Sequence, residues 1–390
     1  MFSRWLNIKN SKKSVLLIGP RRSGKSTYLK VLFPNYKYVT LDDLDHLENS
    51  KKDTKNWIEK LGSNFIIDEA QRNPDIAIAI KWAIDEKNVH CILTGSTGLN
   101  LFEKSTETLA GRIQIFYMTP ACFGENHGHL IDYSQLIIDP DLIKKAQREL
   151  LSFLESGGFP EIVSAPEDQQ EELLQIYKNS YFTRDIASLN KIENVEGLRA
   201  LYLALIIGLG SRYETSSLVQ ETGLSTITVK KYLNTLQQSG LLFKLYGYHQ
   251  SAAKRYISSA KSYFIDISLL KALSRDYSTG QLIESFVISE IEKRRRLGLI
   301  KAEELFYYES VGGREIDLIY EEKNQITIIE IKSTKKVSGK DLRNIREFEI
   351  KSTKKIAKII YYLGDTFYTE PDKTEIIQIR PIWSLFRTSV

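Results

Sequence analysis

Nine residues near the amino terminus, Gly19-Pro-Arg-Arg-Ser-Gly-Lys-Ser-Thr27, have the types and spacing of a phosphate cradle. Backbone N–H groups must wrap a polyphosphate there, so Gly19 and Gly24 fall where a side chain would block the approach, with Pro20, Arg21, Arg22 and Ser23 forming the turn between them. Lys25 reaches the β- and γ-phosphates, Ser26 places its hydroxyl on Mg²⁺, and Thr27 continues into a helix whose positive end faces the anion. A second group fits the same chemistry. Asn64-Phe-Ile-Ile-Asp68-Glu69 is an apolar run ending in two acids, which assigns Asp68 to the metal and Glu69 to the attacking water. Alternatively, the two carboxylates cap the following helix.

Three further groups carry chemistry. His90-Cys-Ile-Leu-Thr94-Gly-Ser96 ends an apolar run in small polar residues, so Thr94 or Ser96 can sense a γ-phosphate. In Leu109-Ala-Gly-Arg112, the planar, permanently charged guanidinium suits a transferring phosphoryl group; Arg112 is a candidate finger or sensor, or else a surface salt-bridge partner. Near the carboxyl end, Glu284 lies on the margin of an amphipathic helix. Asp317 follows a Gly312-Gly turn on an alternating strand, and Glu330 and Lys332 share a face of the next strand. Phosphodiester hydrolysis needs a hard cation, Mg²⁺ or Mn²⁺, which Asp317 and Glu330 can hold, while Lys332 positions water or stabilises developing charge.

These residues need elements to hold them. Val15 to Ile18 reads as a doubly buried strand and Ser26 onward as a helix; strands then alternate with helices, which predicts a parallel sheet with its site at the strands' carboxyl ends. From about residue 140 the pattern turns helical, with a stop at Ser156-Gly-Gly-Phe-Pro160. Beyond Leu198, a short helix, the turn Thr222-Gly-Leu-Ser225 and the helix from Thr226 precede two strands. That order reads as a helix-turn-helix with a wing. In the helix from Thr226, Ile227, Val229, Tyr232, Leu233 and Leu236 keep the spacing of a buried face. Thr226, Thr228, Lys230, Lys231 and Asn234 are left to meet DNA, helped by Lys254 and Arg255 on the wing.

Composition sets outer limits. At 390 residues the chain exceeds one core, and 42% hydrophobic with 26% charged is globular. No run is long enough to span a bilayer and no signal peptide is apparent, so the expected address is cytoplasmic with no membrane partner. Two cysteines, Cys91 and Cys122, exclude a disulfide framework and are expected to be reduced. The net charge is only +5, yet Lys293-Arg-Arg-Arg296 and the stretches 332–340 and 351–358 concentrate positive charge, as a polyanionic partner or a solvated helix face requires.

Gly19 to Thr27, Ile66 to Arg72, Leu93 to Ser96 and Leu109 to Arg112 together resemble the archaeal and bacterial AAA-type ATPases in which a winged helix and a restriction-endonuclease-like domain follow the ATPase core. The resemblance implies ATP as the nucleotide. Gly157-Gly-Phe-Pro-Glu161 and Tyr181-Phe-Thr-Arg184-Asp185-Ile186 resemble hallmarks of the same group, Arg184 and Asp185 being expected at a domain joint; Met118-Thr-Pro-Ala-Cys-Phe-Gly-Glu125 departs from its usual Pro-Leu-Ser-Phe. Over Thr279 to Arg380, Asp317, Glu330 and Lys332 match the metal and catalytic positions of PD-(D/E)XK nucleases, and Glu284 their helical acid.

The expected fold class is therefore multidomain α/β. A P-loop, AAA-like ATPase domain takes residues 1–135, a helical connector 136–197, a winged helix 198–274 and a nuclease-like domain 275–390. The expected function is ATP hydrolysis coupled to action on DNA. The alternative is a nucleotide-gated switch that binds DNA or protein with an inactive last domain, and an arginine finger acting in trans requires a homo-oligomer.

Overall fold

The computed structural model describes residues 4–95, 108–127, 140–180, 192, 194–249, 255, 260–273, 276–310, 312–373 and 375–386. Ser96, the segment Tyr181 to Ile186 with Arg184 and Asp185, and Lys254 lie outside them. The chain divides into two compact units, residues 4–120 with 236–241, and residues 121–235 with 242–390.

The first unit is built on five parallel strands, β1 (Ser14–Ile18), β2 (Lys37–Thr40), β3 (Asn64–Asp68), β4 (His90–Gly95) and β5 (Ile113–Tyr117), in the order β2-β3-β4-β1-β5. Every residue of β1 is buried, as a central parallel strand covered on both faces demands. Leu16, Phe65, Ile67, Ile80 and Leu93 pack into one apolar cluster beside Trp57. Because β4 separates β1 from β3, with Ile18 opposite Gly95 and Ile67 opposite Leu93, the cradle, Thr94 and Asp68 emerge together at one sheet edge.

The second unit carries an eight-stranded mixed sheet in the order β12-β13-β11-β10-β9-β8-β6-β7. Its strands are β6 (Leu242–Gly247), β7 (Lys261–Phe264), β8 (Leu305–Glu309), β9 (Glu315–Glu321), β10 (Gln325–Lys332), β11 (Lys355–Tyr362), β12 (Tyr368–Asp372) and β13 (Glu375–Pro381). The antiparallel run β8-β9-β10 is followed by the helix Gly339–Glu347 and by β11, which pairs parallel with β10. The strands that carry Asp317, Glu330 and Lys332 thus belong to a large mixed sheet. The strands expected for a separate wing join it, with Tyr246 of β6 opposite Phe306 of β8.

The helix Thr226–Gln238 departs from its expected faces. Val229, Tyr232, Leu233 and Leu236 are buried, but Ile227 is 81% exposed beside the exposed Thr226, Lys230, Lys231 and Asn234. Ser225 and Thr228 share a hydroxyl contact of 2.8 Å, and the Thr228 N–H donates to Ser225 Oγ at 3.1 Å, so Thr228 belongs to the cap and only half faces solvent. Among the described residues no helix is long and apolar enough to cross a membrane.

Candidate functional site

Gly24 adopts φ +91°, a left-handed value that suits glycine, and starts the helix Lys25–Leu32 directly after the turn. The reason for Gly19 differs from the expected one. A Cβ there would lie 1.9 Å from the Met118 carbonyl oxygen, so the neighbouring chain, before any phosphate, demands glycine. Arg22 also has positive φ, at 62°. Lys25 is buried, and its ammonium donates to the carbonyls of Gly19 and Pro20, each at 2.9 Å. Burial pulls its pKa down to about 8, with Glu69 and Asp68 opposing the fall.

Asp68 closes the opposite wall. Ser26 donates to its Oδ2 at 2.6 Å and Thr94 to its Oδ1 at 2.7 Å, while the Tyr38 hydroxyl also donates to Oδ2. Burial works to raise the Asp68 pKa, but these donors together with Lys25 hold it below the ordinary carboxylate value. Asp68 is therefore a fixed anion at neutral pH. Tyr38 escapes sequence reading because it sits on β2 and reaches Asp68 only through the parallel pairing of β2 with β3; a polar ring on the strand next to an acid-ending strand is the available signal. Glu69 has φ +55°, and its carboxylate accepts from Gln71.

Ser26, Lys25, Asp68, Glu69 and Thr94 thus gather at one edge, and Arg112 does not join them. It precedes β5, whose Ile113 pairs with Ser14 at the far end of β1, a strand's length or about 13 Å from the turn. Its Nε pairs with Asp85 at 2.6 Å. The structure thus sets Arg112 apart from the cradle of its own chain and in a salt bridge, the other reading of this residue.

The depressed Lys25 pKa has a measurable sign. Bound phosphate favours the ammonium, so ATP binding is expected to take up a growing fraction of a proton as the pH rises from about 8 to 9, where free Lys25 loses its charge, and close to none at pH 6.5. Calorimetry in buffers of differing ionisation enthalpy measures this uptake; equal uptake at both pH values would contradict it.

In the second unit, Glu284, Asp317, Glu330 and Lys332 meet. Lys332 pairs with Glu330 at 2.6 Å, the Ile331 N–H donates to Asp317 at 2.6 Å, and the Tyr263 hydroxyl donates to Glu284 at 2.5 Å. Burial, then the Asp317 charge, lifts Glu284 to about 7; burial and Asp317 likewise raise Glu330 well above its usual range. Lys332 is raised by Glu330 and Asp317 against a burial that lowers it. Glu330 is buried, and its Oε1 has no hydrogen-bond partner. Among the described residues no three His, Cys, Asp or Glu side chains form a metal-holding group; ammoniums stand between the acids.

Two basic features expected to face a polyanion turn inward. Lys293 pairs with Asp266 at 2.7 Å and Glu290 at 3.1 Å, Arg294 with Glu290 at 2.7 Å, and Arg295 and Arg296 with Glu292 at 2.6 Å each. Arg255 lies over the rings of Tyr248 and Phe306 and pairs with Glu321 at 3.1 Å. The segment after Pro120 also gains a role. Ala121 N–H donates to the Gly158 carbonyl at 2.6 Å, its carbonyl accepts from Lys293 at 3.0 Å, and Phe123 N–H donates to Glu290 at 3.1 Å. Cys91 and Cys122 are free and buried, as expected for structural thiols.

Comparison with known proteins divides the chain into three stretches. Residues 11–127 match the family described as an AAA domain, and residues 147–279 and 279–383 match two families described only as domains of unknown function. The chain is 26% identical to the uncharacterized protein MJ1544 of Methanocaldococcus jannaschii over 95% of this chain and 87% of that one. It is 24% identical to the uncharacterized protein Rv2008c of Mycobacterium tuberculosis over 82% and 70%. A signal transduction ATPase of Pyrococcus horikoshii, PH0952, aligns at 15% identity over 74% of this chain and 45% of its own, with a TM-score of 0.27; this chain spans less than half of that protein, and so slight a likeness carries no weight. The matched residues 11–127 are those that build the cradle and its acid wall, and it is in this part that the chain is similar to AAA domains.

Proposed function

We propose that the first unit binds ATP with Mg²⁺ and hydrolyses it. The observation that carries this reading is the Asp68 carboxylate, held as an anion by Ser26, Tyr38 and Thr94 across from the buried Lys25 ammonium. The residues suit the ligands: the Ser23 hydroxyl is buried in the turn without a partner, and Ser26 and Asp68 offer the hard oxygens that Mg²⁺ prefers. The ion supplies charge neutralisation at the phosphates. Lys25 leaves the loop carbonyls to meet the triphosphate, Glu69 orients the attacking water, and Thr94 links Asp68 to the state of the γ-phosphate. Asp68→Asn is expected to retain ATP binding while turnover falls on the order of a hundredfold or more. Release of labelled phosphate measures it, and wild-type turnover in that variant would overturn the assignment.

A second reading concerns the other unit. The order of the helix Thr279–Arg296, then β8-β9-β10, the helix Gly339–Glu347 and β11, and the buried, unpartnered Oε1 of Glu330 support a hard-cation site that acts on nucleic-acid phosphodiesters; that ATP turnover governs its access to DNA rests on the two units sharing one chain. Asp317 and Glu330 would hold the cation, which supplies an activated water. Lys332 then stabilises developing charge. Plasmid cleavage in Mg²⁺ or Mn²⁺ that disappears in Asp317→Ala tests the site; loss in Lys25→Ala as well tests the coupling. If wild type and both variants leave plasmid equally intact, the second unit is a binding module and the nucleotide a switch.

A further inference from the structure

Resting on the cation-site reading of the second unit, a contribution follows from a strand that sequence order places elsewhere. β7 joins the sheet beside β6, and two of its side chains enter the acid cluster. Lys261 is 4% exposed at its side chain and pairs with Glu315. Tyr263, fully buried, donates its hydroxyl to Glu284 Oε1 at 2.5 Å. Gly210 backs the same carboxylate so closely that a Cβ there would stand 3.1 Å from Oε1. The cluster therefore has two halves of like composition. Asp317 and Glu330 face Lys332; Glu284 and Glu315 face Lys261.

Four carboxylates stand against two ammoniums, and the Glu330 Oε1 still has no partner. A divalent cation gives that oxygen a partner and takes the carboxylates as hard ligands. We propose that Lys261 and Tyr263 are positioning residues of this site: Tyr263 fixes the Glu284 carboxylate, and the Lys261 ammonium occupies the half formed by Glu284 and Glu315, in competition with a divalent cation. Because Lys261 and Tyr263 ride on β7, any displacement of the β6-β7 hairpin alters the site's affinity for that cation.

Free Mn²⁺, counted by electron paramagnetic resonance, tests this on the full chain without nucleotide, in an Asp68→Asn background that weakens cation binding at the cradle. Lys261→Met is expected to tighten Mn²⁺ binding by roughly fivefold or more, because a competing positive charge is gone. Lys261→Arg should match wild type, and Tyr263→Phe should weaken binding by about threefold as Glu284 loses its hydrogen bond. Lys261→Gln repeats the first measurement should the methionine variant misfold, with unchanged circular dichroism as the check. Mn²⁺ binding that is lost in Asp317→Asn but indifferent to Lys261→Met and Lys261→Gln overturns the proposal alone. Absence of Mn²⁺ binding in wild type and every variant overturns the cation site and the proposal with it.

Discussion

Lys25→Ala is expected to weaken ATP binding by about a hundredfold or more, a loss on the order of 3 kcal/mol from one charge-assisted contact to phosphate, without lowering thermal stability. The two readouts separate because the folded protein holds this ammonium at a disadvantage. Lys25 is buried and its pKa falls from 10.5 to about 8. Between those values the unfolded chain binds more protons, so stability rises with pH through that window, and at pH 7 the charged form disfavours folding by roughly 3 kcal/mol. Removing the side chain relieves that strain while it deprives the Gly19 and Pro20 carbonyls of a donor. The net expectation is an unchanged or raised melting temperature beside a collapsed affinity. A variant that loses both would make Lys25 a structural residue and undo the cradle assignment.

The largest effect on stability is expected at Asp266. Its carboxylate accepts from Gly158 N–H at 3.0 Å, from Ser268 N–H and hydroxyl at 3.1 and 2.6 Å, and from Lys293 at 2.7 Å, all fully buried. Asp266→Ala leaves the Lys293 ammonium with Glu290, which already pairs with Arg294, the Ala121 carbonyl and the Phe153 ring at 5.5 Å. Breaking a buried pair in this way costs about 3 to 5 kcal/mol, or a fall on the order of 10 °C in the melting of the second unit. Asp266→Ala with Lys293→Met should recover part of the loss, since the unpaired charge goes as well. Thermal unfolding followed by circular dichroism measures both, and a loss below about 1 kcal/mol in the single variant would contradict the buried network.

What sequence reading captures and what it misses separate along contact range. The cradle is contiguous, the acid at the end of β3 follows a strand that is buried from Phe65 onward, and Asp317, Glu330 and Lys332 lie on adjacent strands joined by a short turn, so spacing and alternation are enough to group them. Thr94 is legible for the same reason. Tyr38, Lys261 and Tyr263 are not: Tyr38 reaches Asp68 through the pairing of β2 with β3, while Tyr263 and Lys261 on β7 meet acids on the helix Thr279–Arg296 and on β9, contacts that no local pattern encodes. Composition counts the charges in Lys293 to Arg296 but not their partners; Asp266, Glu290 and Glu292 turn an apparent basic face into a buried ionic lattice. The periodicity that marks Val229, Tyr232, Leu233 and Leu236 as buried also admits Ile227, yet that residue lies in the first turn, beyond the packed part of the helix. The edge position of Arg112 follows only once β5 is paired in register with β1.

The seat of β6 beside β8 governs how this chain can be recombined. A chimera spliced at residue 275 would part Tyr246 and Gly247 from Phe306 and Tyr307, and would take Lys261 and Tyr263 away from Glu315 and Glu284. The segment carrying β6 and β7 and the acid cluster therefore have to be moved as one piece, and a graft from a distant homologue keeps its charge pattern only if both come from the same donor.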